Sequence, residues 1–184
     1  ANFAHGAYFA LGAYACHLLT GQGLNYFLAL PLSVLLVAAV GLITELAVVR
    51  RSLYSEAHHS SLIVMFALGQ AVVAALILIF GPDPHPVPSP LGQTTFTLFG
   101  IFVTAQRAFI FVCSAVVLAG FGLWLAYTVK GQQLVAVAQN PRGALYSGIN
   151  VPMIRTLSFV LGVGAAGLAG ALLSPIVTAY PTMG

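Results

Sequence analysis

The sequence predicts an all-α integral membrane protein, a multi-pass helical bundle that opens on a short or broken helix. Three observations carry that prediction. Of 184 residues, 60% are hydrophobic and 5% charged, with a mean hydropathy of +1.01; a soluble domain carries roughly 25% charged residues. Residues 26–49, 61–81, 108–129 and 156–179 are apolar stretches, each meeting the length of about 20 residues that one bilayer crossing needs. Five of the six basic residues (Arg50, Arg51, Lys130, Arg142 and Arg155) fall in connections on one side when the crossings alternate, and Arg107 falls on the other. The positive-inside bias makes the five-residue side cytoplasmic.

The first apolar segment, Gly6–Leu19, is too short to cross. At about 1.5 Å per residue it covers roughly two-thirds of a hydrocarbon core, so it is expected to be a half-helix or the end of a longer broken one. Gly21–Asn25 reads as an external turn, and Pro31 lies near the start of the next stretch, where proline is tolerated. Glu45 precedes Arg50 by five residues, which does not place them on one face, so Glu45 is expected to snorkel to the border. Residues 52–61 form a loop whose His58-His59 pair lacks a third metal ligand.

Pro82, Pro84, Pro86, Pro88 and Pro90 alternate with other residues, which forbids a helix and favours extended backbone. Residues 82–106 are therefore expected to be an external proline-rich loop. Residues 130–155 form the longest connection on the basic side. There Asn140-Pro141 can end one helix and start another, and Gly148 has the character of a helix stop. A helix of about two turns between these breakers, at the membrane face, is the expectation.

Polar groups inside hydrocarbon mark functional candidates. Asn2 and His5, followed by Gly6 and Tyr8, sit against the short segment. A break there presents backbone N–H groups toward a carboxylate, or else Asn2 and His5 hydrogen-bond a neighbouring helix. Gln70, mid-stretch, lines a polar route or makes one interhelical bond. Gly162, Ala166 and Gly170 recur every four residues with Gly164 and Gly167 between, a small-residue face that lets helix backbones approach closely. Cys16 and Cys113 form no CxxC pair and read as buried small residues. Walker A, HExxH and GxSxG motifs are absent, and three acidic residues leave little means for acid–base chemistry, so no catalytic or metal site is expected. No basic stripe interleaved with aromatics suggests nucleic acid.

Asn2-Phe3-Ala4-His5-Gly6 followed by Leu11-Gly12-Ala13-Tyr14 resembles the opening signature of the branched-chain amino acid ABC transporter permeases. Ala136-Val137-Ala138-Gln139-Asn140-Pro141, continuing through Gly148-Ile149-Asn150-Val151, is similar to that family's cytoplasmic loop. Phe159, Leu161-Gly162, Gly167-Leu168-Ala169-Gly170 and Pro181-Thr182-Met183-Gly184 continue the likeness in the same order over nearly the whole chain. The resemblance implies a permease subunit of the bacterial inner membrane that moves branched-chain or related amino acids inward. It would work with a second permease subunit, two cytoplasmic ATP-binding subunits and a periplasmic substrate-binding protein, and would itself hydrolyse nothing and need no cofactor. Gln139, Asn140, Pro141 and Arg142, with Gly148, Ile149 and Asn150, would belong to the element that couples to an ATPase. Asn2, His5, Gly6, Tyr8 and Gln70 would line the route. Residues 1–184 would be one partial transmembrane domain, since the family's opening helix and later glycine-rich half lie outside them. The proline strap and His58-His59 have no place in the family pattern. A urea or short-amide permease is the alternative within the class, and an ATP-independent channel the alternative outside it.

Overall fold

A computed structural model describes residues 4–50, 60–92, 94–98 and 101–184 of the chain. Helix α1 is His5–Gly21 and α2 is Tyr26–Thr44, prolonged by a π turn over Glu45–Val49. Helix α3 covers Ser60–Phe80; strands β1 (Thr95–Leu98) and β2 (Ile101–Thr104) pair antiparallel as a hairpin. Then follow α4 (Ala105–Tyr127), α5 (Val129–Gln139), α6 (Pro141–Tyr146) and α7 (Val151–Val177). Among the described residues four helices are long and apolar enough to cross a bilayer: Tyr26–Val49, Ile63–Phe80, Ala105–Tyr127 and Val151–Val177.

Helix α1 is short, as expected, at 17 residues, or about 25 Å. It is also the most enclosed helix, with Ala7, Tyr8, Ala10, Ala13, Tyr14 and Cys16 all buried. Glycines make this possible. A Cβ on Gly12 would collide with the carbonyl of Gly167, and one on Gly170 with the carbonyl of Phe9. The α1 and α7 backbones therefore touch, as small residues allow in membranes. On the other flank a Cβ on Gly167 would fall 2.8 Å from Val37 of α2. Gly162 lies over the imidazole of His5, with 3.0 Å between a Cβ there and Cε1, and Ala166 packs on the cluster of Ala4, Tyr8, Val37 and Val163.

Helix α4 is bare by contrast. Gln106 is its one buried residue among those described, while Phe111, Val116, Leu118 and Leu123 are exposed and apolar, a face suited to lipid or another membrane subunit. Arg50, Lys130 and Asn150 meet in one groove, with Arg142 and Arg155 on the adjoining elements; this is the basic end. The proline strap lies at the opposite end.

The structure corrects several expectations. Gly6 is helical and α1 is unbroken from His5 to Gly21; of the break expected over Asn2–Gly6, Asn2 and Phe3 lie outside the described residues, and a further irregular segment follows α7, at Thr178–Gly184. The strap ends at Thr104, since β1 and β2 take up its second half and Ala105 already begins α4. Arg107 consequently sits in the first turn of α4 rather than in a connection. Glu45 does not snorkel. It is 3% exposed, and its Oε2 is buried without a hydrogen-bond partner among the described residues. Glu45 continues the buried face of Ser33, Val37 and Gly41 at four-residue spacing, so α2 itself turns this carboxylate into the bundle; the π turn begins there, and such turns are frequent at functional sites. Asn2, Arg51 and His58-His59 lie outside the described residues.

Candidate functional site

Helix α7 ends at Val177, where Thr178 donates its N–H to the Ser174 carbonyl at 3.0 Å. Thr178 then adopts φ 61° and ψ 153°, a region that β-branched residues avoid, at a cost of about 1–3 kcal/mol. The strain reverses the chain. Ala179 exchanges two backbone hydrogen bonds of 2.8 Å with His85 of the strap. From there the backbone returns along α1 until Gly184 lies against Gly6, so close that a Cβ on Gly6 would strike the Gly184 carbonyl.

The strap is tied to the same helix. His17 Nδ1 donates to the Pro86 carbonyl and His85 Nε2 to the Phe80 carbonyl, each at 3.0 Å. The two imidazoles lie 4.9 Å apart, and Tyr14 packs on both Phe80 and His85. A second tie runs through Gln106, which is 1% exposed. Its Nε2 donates to the Tyr26 hydroxyl at 2.9 Å and the Leu172 carbonyl at 3.1 Å, and its Oε1 accepts from Ser89 at 2.8 Å. One amide thus joins the strap to α2, α4 and α7.

The returning segment walls a cavity of about 260 Å³ between α1 and α3. Gly6 and Ala7 form one side, Gly69 and Gln70 another, and Pro181 and Thr182 close it. Non-helical backbone among membrane-crossing helices is tolerated where it lines a cavity. The polar groups here are backbone amides, the Gln70 amide and the Thr182 hydroxyl; Phe66 and Val73 add apolar wall. No charged side chain among the described residues lines it. Gln70 is exposed to the cavity and makes no hydrogen bond among the described residues.

The residues expected on the route therefore separate. Gly6 and Gln70 are brought together. Tyr8 is fully buried elsewhere, bonding Thr44 Oγ1 at 2.6 Å and meeting the Phe159 ring edge-on. His5 faces α7 and lines a different cavity with Glu45, Met65 and Arg155. Sequence reasoning missed Pro181 and Thr182 as lining residues, and the one signal was a proline among polar residues directly after an apolar stretch.

At the basic end, Asn140 accepts the Gly143 N–H at 3.0 Å and caps α6, with Pro141 at its first position. Gly148 takes φ +77° after the helix, and Ile149 donates back to the Ala144 carbonyl at 3.0 Å. Asn150 accepts the Met153 N–H at 3.1 Å and caps α7. Val137, Ala144, Val151 and Ile154, with Ile149 packed beside them, hold this unit to the bundle. Gln139 and Arg142 remain exposed, as do Leu145 and Tyr146, the latter at 89%. A capped two-turn helix thus projects a small apolar and basic surface from a rigid seat.

A family model described as "Branched-chain amino acid transport system / permease component" matches residues 1–184. The chain is 32% identical over its whole length to "Probable branched-chain amino acid transport permease protein LivH" of Methanocaldococcus jannaschii. It is 26% identical over 94% of its length to "High-affinity branched-chain amino acid transport system permease protein BraD" of Pseudomonas aeruginosa. The chain spans 59% and 60% of the lengths of these two relatives. No solved structure matches it. With four apolar helices long enough to cross a bilayer among its described residues it is a multi-pass membrane protein, and it belongs to the family of branched-chain amino acid transport system permease components.

Proposed function

We propose that this chain is part of a permease subunit of an ATP-driven importer that moves branched-chain or related amino acids across a bacterial inner membrane. The observation that supports this most, beyond family membership, is the cavity that Gly6, Gln70 and the returning Pro181–Gly184 backbone build between α1 and α3, lined by no charged side chain among the described residues. A zwitterion has no net charge, and backbone dipoles with one amide are groups that membrane transporters present to such solutes. Alternating access would open this cavity to one face and then the other. The small-residue contact of α1 with α7 is where the helices would shift.

Energy comes from elsewhere in this reading. The chain hydrolyses nothing; two cytoplasmic ATP-binding subunits do, and a second permease subunit and a periplasmic substrate-binding protein complete the assembly. Helix α6, seated by Asn140, Gly148 and Asn150, is the element that ATP binding would push. The basic end then faces the cytoplasm, in line with the excess of Lys and Arg there.

The test is ATP-dependent uptake of labelled leucine by the full-length permease reconstituted with those partners. Competition by isoleucine and valine but not urea is the expected result. No leucine uptake, in an assembly whose ATPase still responds to its loaded binding protein, would keep the importer and move the solute to a short amide. Leucine flux without any ATPase subunit would overturn the coupled mechanism in favour of a channel.

A further inference from the structure

A groove of about 680 Å³ runs between α2 and α7 at the basic end. Leu42, Leu46 and Arg50 line one wall at four-residue spacing, and Met153, Leu157 and Val160 line the other. Lys130, from α5, and Asn150 stand with Arg50 at its mouth. Below the mouth the lining is almost wholly apolar. The step from Arg50 to Leu42 is eight residues, about 12 Å along a helix, close to the depth of one leaflet's hydrocarbon.

The mouth collects positive groups that meet no acidic side chain among the described residues; Glu56 lies outside them. Arg50 and Lys130 are both exposed, and neither makes an ion pair among the described residues. The described acidic side chains are elsewhere: Glu45 is buried in the neighbouring cavity with His5, and Asp83 belongs to the strap at the far end. Asn150 spends its Oδ1 on the Met153 N–H, which leaves its amide hydrogens as donors at the same rim. Two cations and an amide donor above a leaflet-deep apolar trough complement a phosphate with an acyl chain attached. A water-soluble peptide does not reach down a membrane-crossing pair of helices.

We propose that this groove binds an anionic phospholipid of the bilayer. Its phosphate is held by Arg50, Lys130 and the Asn150 amide, and one acyl chain lies along Leu42, Leu46, Leu157 and Val160. The site joins the end of α2 to α5 and to the cap of α7, so an occupied groove braces the seat of α6. It does not depend on which solute the protein carries.

The test uses the full-length permease, assembled with its partner subunits, in bilayers of equimolar phosphatidylglycerol and phosphatidylcholine. Each lipid carries a photoreactive acyl chain in turn, and adducts are mapped by peptide mass spectrometry. Labelling of Leu42–Arg50 and Met153–Val160 by phosphatidylglycerol should exceed that by phosphatidylcholine. Each cation near the surface is worth about a fivefold preference, so about 25-fold is expected for the pair. The double variant Arg50→Gln/Lys130→Gln should lose the preference. Arg50→Lys/Lys130→Arg, which keeps both charges, should retain most of it and controls for loss of folding. Equal labelling by the two lipids overturns the proposal, as does a preference that survives in the double glutamine variant. So does a groove shielded from both lipids and cross-linked to the second permease subunit.

Discussion

Replacing Gly148 with valine isolates the seat of α6 from every other part of the molecule. Gly148 holds φ +77°, and a Cβ built on it meets no atom within 4 Å. The change therefore introduces no clash, and its whole cost is conformational. An L-residue in the left-handed region costs about 1–2 kcal/mol, and a β-branched one sits at the upper end. A penalty of that size changes a two-state population roughly 5- to 30-fold. It falls on the turn in which Gly148 donates to the Leu145 carbonyl and Ile149 to the Ala144 carbonyl, each at 3.0 Å. The turn sets how Leu145 and Tyr146 project. In the reconstituted full-length assembly, leucine moved per ATP hydrolysed should fall by that factor, with membrane insertion and yield unchanged. Gly148→Asn should keep most of the coupling, because asparagine enters the left-handed region more readily than other L-residues. Normal uptake per ATP in the valine variant would refute the assignment. Equal loss in both variants would also refute it, by showing that side-chain bulk rather than backbone conformation is what matters.

Gln106→Leu keeps the volume but removes three hydrogen bonds that join the strap to α2, α4 and α7; at about 0.6–1.7 kcal/mol for each bond, a loss of about 2–5 kcal/mol is expected in denaturant titrations in detergent. A loss under about 0.5 kcal/mol would mean that the amide is replaceable by packing alone. Gly170→Val drives a side chain into the Phe9 carbonyl and should separate α1 from α7, read as loss of the monodisperse peak in size-exclusion chromatography. Gly164→Ala, whose Cβ would sit 3.8 Å from Val34, should behave as wild type. Gln70→Leu should leave thermal stability unchanged, since that amide makes no hydrogen bond among the described residues. It should cut leucine uptake several-fold, and unaltered uptake would remove Gln70 from the route.

Much of this architecture was legible in local pattern. Apolar length alone located the four crossings, because a bilayer demands a fixed span wherever it is met. Asn140-Pro141 and Gly148 bounded α6 because capping and positive φ are properties of a residue and its immediate neighbours. The small residues of α7 announced a close helix contact by their spacing.

What stayed hidden depended on partners distant in the chain. Glu45 read as a border residue, but it stands on the stripe of Ser33, Val37 and Gly41, and which face of α2 is buried is set by its packing against α1 and α7. Tyr8 and His5 share a helix with Gly6 yet face α2 and α7, so sequence proximity grouped residues that the bundle separates. Pro181 and Thr182 reach the cavity because Thr178 reverses the chain and His85 holds it there. By itself the sequence determined the helices, their caps and the end that carries positive charge, since each follows from side chains meeting solvent, lipid or their own backbone. Only the tertiary structure decided which polar groups share a cavity, because that depends on helix rotation and on contacts spanning more than a hundred residues.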